Sequence, residues 1–286
     1  MKRRYSEWEI DTNGVTTVVS EWGEGEDVMV LVHGVSGNRM TWSDLARRLA
    51  ADGYRVLAPD LRGCGTTIAK GDLIGREMQV YVDDLRSWTQ ALGLERFSLA
   101  GHSFGGHLAV DFAWQFPDVV ERMILVAPAG PDSFRKAIQD NPALLENPAT
   151  RSTFDNLKSI EGPTLEALRK FAESNPGRPA TRAVVARWLE NLNIDETGYA
   201  RHIDGHDTVD AMMRILRNED QTDRLAEVQT PAVVMRSTDE GPMLRYTIPH
   251  YVDHLPNVIR YMDEVVADHS IPATNPDAVF EALTTR

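Results

Sequence analysis

The stretch Phe97-Ser98-Leu99-Ala100-Gly101-His102-Ser103-Phe104-Gly105-Gly106 decides how this chain is read. A short apolar run (Phe97, Leu99, Ala100) leads into Gly101-His102-Ser103-Phe104-Gly105, and a helical pattern (Leu108, Ala109, Phe112, Ala113) follows at once. Strand, sharp turn with a serine at its apex, then helix is the context of a nucleophile elbow. The serine must adopt a strained backbone to present its hydroxyl. The residues two before and two after it would collide if they carried side chains. Gly101 and Gly105 meet that need, and Gly106 lets the helix start close to the strand. Alone, the pattern is only suggestive. With glycine near 7% of residues, and serine similar, G-x-S-x-G arises by chance in about one chain in ten of this size. Context and partners must decide.

Outward from the elbow, strands and helices alternate. Residues 15–21 and 27–33 read as strands, the second almost wholly apolar, as befits a strand covered on both faces. A helix over 42–52 and a short strand over 55–58 come next, then a helix over 77–92 with Met78, Tyr81, Leu85, Trp88 and Leu92 on one stripe. The elbow strand at 96–100, its helix to about 115 and a strand at 122–127 complete the first run. This alternation predicts an α/β fold with a mostly parallel sheet and right-handed crossovers.

The rhythm breaks at Pro128. From 133 to 222 the patterns are helical (164–173, 180–192, 208–217) with no convincing strand. Strand signal returns at 232–236 and 258–262, and a last helix spans 277–283 behind Asn275-Pro276. The expected organisation is a core made of residues 1–132 and 223–286, with 133–222 as a helical insertion. Such an insertion would lie over the carboxyl ends of the strands, where open α/β sheets bind ligands.

The 286 residues suffice for one such domain, and 42% hydrophobic with 26% charged residues is ordinary for a globular protein. A net charge of −13 argues against nucleic acid or an anionic membrane as partner. The only cysteine, Cys64, allows neither an internal disulfide nor a CxxC metal site. The basic start (Lys2, Arg3, Arg4) leads into Tyr5-Ser6-Glu7-Trp8-Glu9 rather than an apolar stretch, so a cytoplasmic location is expected.

A serine needs a base, the base an orienting acid, and the tetrahedral intermediate preorganised donors. His269 is the expected base, on a loop after the last strand and ahead of the Asn275-Pro276 helix start. His33 ends a strand, and His102 is expected to point away from the apex. For the acid, strand 232–236 is followed by Ser237-Thr238-Asp239-Glu240. Asp239 is preferred, with Glu240 its close competitor and Asp132 a topological alternative. The turn His33-Gly34-Val35-Ser36-Gly37 follows the buried strand, and its glycines would let it fold back beside the elbow. Backbone amides of Val35 and Phe104 are the expected oxyanion donors.

With these parts assembled, the chain resembles the α/β-hydrolase superfamily, in particular its capped esterase-like members. The resemblance covers about residues 15–132 and 225–286. It rests on His33-Gly34, Ala58-Pro59-Asp60-Leu61-Arg62-Gly63, the elbow at Ser103, the acid turn, and His269 before the helix, in the family's order. Three positions depart from the family pattern: Cys64 stands where a histidine is usual, Arg236 where glycine opens the acid turn, and Asp268 where a small residue precedes the histidine. The resemblance implies that residues 133–222 form a helical cap and that the reaction uses no metal or organic cofactor.

The expected activity is hydrolysis of a small, fairly apolar ester or lactone through an acyl-enzyme. Carbon–carbon bond hydrolysis of vinylogous diketones and amide hydrolysis could use the same triad. A non-catalytic receptor using the fold for recognition is the alternative of another class. His202 and His206 with their neighbouring aspartates read as a polar loop rather than a metal cluster, and His250 and His254 as a solvated helix face. Arg236 and Arg245 are expected in structural ion pairs, and Trp188, Met212 and Met213 in core packing or pocket lining.

Overall fold

The computed structural model describes residues 5–146, 162–163, 192–194, 199–202 and 205–285. Its strands are β1 (Ser6–Thr12), β2 (Val15–Trp22), β3 (Val28–Val32), β4 (Arg55–Pro59), β5 (Phe97–His102), β6 (Val120–Val126), β7 (Gly162–Pro163), β8 (Leu192–Ile194), β9 (Tyr199–His202), β10 (Ala232–Asp239) and β11 (Val258–Asp268). The α-helices among the described residues are α1 (Ser43–Ala51), α2 (Met78–Ala91), α3 (Phe104–Gln115), α4 (Phe134–Asp140), α5 (Gly205–Asn218), α6 (Thr222–Leu225), α7 (Pro242–His254), α8 (Ile271–Thr274) and α9 (Pro276–Thr284).

Eight strands form one sheet in the order β1-β2-β4-β3-β5-β6-β10-β11. β2 pairs antiparallel with β1 and β4, and the remaining pairs are parallel. Period-2 alternation sorts each central strand onto two cores. Val30 and Val32 face the side covered by Tyr81, Leu85 and Trp88 of α2 and Phe104, Leu108 and Phe112 of α3. Met29 and Leu31 face Leu45 and Leu49 of α1 and Val279 and Leu283 of α9. Both faces are therefore covered, which is why these strands read as unbroken apolar runs.

Register places the loops that matter. Val32 lies beside Gly101, so the turn after β3 and the elbow after β5 emerge side by side. At the other end of the row, Asp239 lies beside Asp268, and the residues that follow them, Glu240 and His269, leave adjacent strands together. The missed strand is β1: its charged, mostly exposed residues form an edge, where no core imposes an apolar alternation.

Within residues 133–222, expected to be an insertion, the described part is helical at α4 and α5, with α5 covering the expected 208–217. It also holds a small antiparallel sheet, β7-β9-β8, not foreseen because strands of 2, 3 and 4 residues are too short to show a period. The expected helices at 164–173 and 180–192, with Trp188, lie outside the described residues apart from Leu192 in β8. The side chains of His202 and His206 are likewise outside them. The two ends of the insertion meet: the Ser133 amide donates to Asp220 Oδ2 at 2.8 Å, and the Gln221 amide to the Pro131 carbonyl at 2.8 Å. Thr208 of α5 packs against Gly63, and Met212 Sδ lies 4.0 Å from Cys64 Sγ. Among the described residues no helix is long and apolar enough to cross a membrane.

A buried polar cluster lies where α6 meets α3. Asp111 pairs with Arg224 at 2.7 Å, and Gln221 donates to the His107 carbonyl at 2.8 Å. Burial pushes the Asp111 carboxyl up to about 6, against the pull of Arg224 and Gln221. Burial, aided by Arg224, holds His107 down at about 3. The two act on stability with opposite signs. The unfolded chain protonates His107 below about 6.5 while the fold resists, so stability is lost as pH falls through that range. Asp111 binds its proton more tightly folded than unfolded, so acidification through about 6 relieves a cost present at neutral pH. Asp111→Asn removes that compensation. Its Tm is expected to fall more steeply between about pH 7 and about pH 4.5 than that of the unsubstituted protein. Scanning fluorimetry at the two pH values checks this, and equal slopes would contradict it.

Candidate active site

Ser103 sits at φ 54°, ψ −117°, between the end of β5 and the first residue of α3. Such a conformation costs a non-glycine residue about 1–3 kcal/mol and persists only when its surroundings impose it. They do so here. The Ser103 amide donates to the Val126 carbonyl, and the Ser103 carbonyl accepts from the amides of Gly106, His107 and Ala129. A Cβ on Gly101 would lie 2.0 Å from the Gly105 carbonyl oxygen, and one on Gly105 2.5 Å from that of Val32. Phe104 is fully buried, its ring edge-on to Tyr81 at 5.1 Å, so the amide that follows the serine is held by its own side chain.

The turn after β3 closes against this elbow. A Cβ on Gly34 would lie 2.8 Å from Ser103 Cβ, and the Gly37 amide donates to the Gly34 carbonyl at 3.0 Å. His33, completely buried, is the brace. Its Nδ1 donates to the Gly34 carbonyl at 2.8 Å, and its Nε2 accepts from the Leu61 amide at 3.0 Å. That pair of bonds requires a neutral ring with its proton on Nδ1. Behind it, buried Asp60 accepts from the Arg39 and Thr66 amides, each at 2.7 Å, and Arg62 forks onto Asp84 with two contacts of 2.6 Å. Val35 follows Gly34 in this turn and Phe104 follows Ser103, so the two expected donors sit on the two segments that meet here.

His269 joins the two halves of the site. Its Nε2 lies 2.9 Å from Ser103 Oγ, and its Nδ1 lies 2.8 Å from Glu240 Oε2. The acid expected at Asp239 is therefore corrected to Glu240. The strand does not stop at 236 but runs to Asp239, which is still paired in the sheet and exposed. Glu240 is the first residue free to turn inward. Its side chain is fully buried, and its Oε1 accepts from the Ser237 hydroxyl at 2.7 Å. Burial alone would push the Glu240 carboxyl up. The charge and hydrogen bond of His269, with the Ser237 hydroxyl and amide, outweigh it and hold the group below the ordinary carboxylate range.

Asp132, the third candidate, is occupied elsewhere: it bonds His250 Nδ1 and lies 3.5 Å from Lys136 Nζ. His250 is thus tied to the core rather than part of a solvated face, while His254 Nδ1 donates to its carbonyl at 2.8 Å. Arg236 pairs with Asp263 at 2.6 Å, as an ion pair of the scaffold. Asp268 accepts from the Ser270 amide at 2.8 Å and shapes the turn after the histidine. Met212 and Met213 are both buried in the core under α5. His102, expected to point away from the apex, sets its Nε2 2.7 Å from the His269 carbonyl. Among the described residues no group of His, Cys, Asp and Glu could hold a metal ion.

A profile of the alpha/beta hydrolase fold matches residues 27–276, which takes in every part of this arrangement. The chain belongs to the alpha/beta hydrolase fold family. Among hydrolases of this fold, E-2-(acetamidomethylene)succinate hydrolase superimposes with a TM-score of 0.77 at 23% identity, over 98% of each chain. A 2-hydroxy-6-oxononadienedioate/2-hydroxy-6-oxononatrienedioate hydrolase of Burkholderia vietnamiensis is 27% identical over 232 residues, 77% of this chain and 73% of that one. An uncharacterised protein of Mycobacterium tuberculosis is 37% identical over 109 residues. That match spans 38% of this chain but only 30% of the mycobacterial protein.

Proposed function

We propose that this protein is a serine hydrolase of a small, fairly apolar carboxylic ester or lactone. The observation that carries the reading is the continuous contact from Ser103 Oγ through both nitrogens of His269 to the buried Glu240. Ser103 Oγ attacks the carbonyl carbon while its proton passes to His269 Nε2. The resulting imidazolium is balanced by the ionised Glu240, and the oxyanion accepts hydrogen bonds from the Val35 and Phe104 amides. Collapse of the intermediate breaks the bond to the alkoxide, which takes the proton from His269. Water, deprotonated by the same nitrogen, then attacks the acyl-enzyme and releases the carboxylic acid and Ser103. No step calls for a metal or organic cofactor. The partner is a small acyl compound met in the cytoplasm, where the single thiol, buried Cys64, stays reduced. Residues 133–222 act as a cap that shapes the pocket.

A second reading, carbon–carbon bond hydrolysis, is favoured by the likeness to the Burkholderia vietnamiensis hydrolase. A panel of p-nitrophenyl esters of increasing acyl length, aliphatic lactones and a vinylogous diketone separates the two. Turnover is expected to be highest on short esters or lactones, with Ser103 acylated in the trapped intermediate by mass spectrometry. Turnover of the diketone alone would replace the first reading with the second. Ligand binding without turnover or acylation would leave a receptor.

A further inference from the structure

We propose that His102 is a positioning residue for the base: it locks the backbone of His269 to the residue that adjoins the nucleophile. This inference rests on the serine hydrolase reading above. His102 is the last residue of β5, immediately before Ser103. Its Nε2 lies 2.7 Å from the His269 carbonyl oxygen, and the two rings sit tilted, 5.0 Å apart. A carbonyl oxygen only accepts, so His102 Nε2 carries the proton and donates. The same ring lies against the turn after β3, since a Cβ on Gly34 would come within 3.3 Å of His102 Nδ1. One imidazole thus touches the three segments that supply nucleophile, base and oxyanion donors.

Position explains why this bond has work to do. His269 stands one residue beyond the end of β11, the outermost strand of the sheet, so among the described residues no second strand holds its backbone from the far side. The contacts to Ser103 and Glu240 fix the plane of the imidazole. The bond from His102 fixes the main chain from which that imidazole hangs. Its loss lets the base drift relative to Ser103 Oγ while leaving the pocket that binds the acyl group intact. Misplacement of a reacting group by about 1 Å costs on the order of 100-fold in rate.

The test uses three variants on the full chain, with the ester best turned over by the unsubstituted protein. In His102→Gln the side-chain amide reaches far enough to restore a donor at the Nε2 position, whereas His102→Asn is too short and His102→Leu has no donor. We expect the Asn and Leu variants to lose about 10- to 100-fold in kcat, and as much in the rate of Ser103 labelling by a fluorophosphonate. KM is expected to stay within about threefold, and Gln to recover most of the rate. A merely structural role would move Tm and KM together and would not distinguish Gln from Asn. If the Leu variant fails to fold, the Asn and Gln pair still decides. Equal rates for Asn and Gln, impaired or not, would overturn the inference. Failure of the unsubstituted protein to label at Ser103 would overturn the serine hydrolase reading, and this inference with it.

Discussion

Replacing Ser103 with alanine is expected to lower kcat on the preferred ester by about a million-fold, to the level left by binding and oxyanion donors alone. The expectation follows from the way the contacts are chained. His269 Nε2 touches Ser103 Oγ, and Glu240 reaches the reaction only through His269 Nδ1. Without the hydroxyl, neither the base nor the acid has a proton transfer to assist. The substitution removes a single oxygen, and Ser103 is held by backbone bonds that alanine keeps, so the fold is expected to survive. Tm within about 2 °C of the unsubstituted protein, with loss of fluorophosphonate labelling, completes the result. Retained turnover, beyond what trace contamination explains, would remove Ser103 from the mechanism.

The second large effect separates two adjacent carboxylates. Glu240→Gln is expected to reduce kcat by about 10⁴-fold, and Asp239→Asn to leave it within about twofold. A glutamine amide at position 240 could donate to His269 Nδ1, which would favour the proton on Nε2 and turn the base into a donor toward Ser103. It would also remove the charge that balances the imidazolium. Asp239 is exposed at the end of its strand, while Glu240 holds His269 Nδ1. Steady-state rates for both variants, at a pH where the unsubstituted enzyme is fully active, decide the point. A large loss in Asp239→Asn with near-normal Glu240→Gln would reverse the assignment.

That pair of residues also marks how far the amino-acid sequence could be read. The elbow was legible because only a sharp turn needs glycines two before and two after a serine. His33-Gly34 and His269 were legible through their places after strands and ahead of a capped helix, where Asn275 indeed caps the Ala278 amide. The acid was not, because its identity turns on where β10 ends. Ser237-Thr238-Asp239 reads as a polar turn, yet it continues the strand through two register shifts against β11. A one-residue error along a strand moves a side chain to the other face. β11 likewise runs past the expected 258–262 to Asp268, through an irregularity at which Glu264 takes φ 54°. His102 was missed because its partner is a backbone carbonyl 167 residues away, which leaves no local pattern.

The stitching of the insertion, Ser133 to Asp220 and Pro131 to Gln221, has an evolutionary consequence. A segment that leaves and rejoins the scaffold at one point can lengthen, shrink or be exchanged at little entropic cost to the rest, since closure entropy grows only with the logarithm of loop length. On the proposed reading of residues 133–222 as a cap, new substrate ranges would be acquired by rewriting what lies between those two seams. Ser103, His269 and Glu240, all rooted outside them, would keep their mutual contacts.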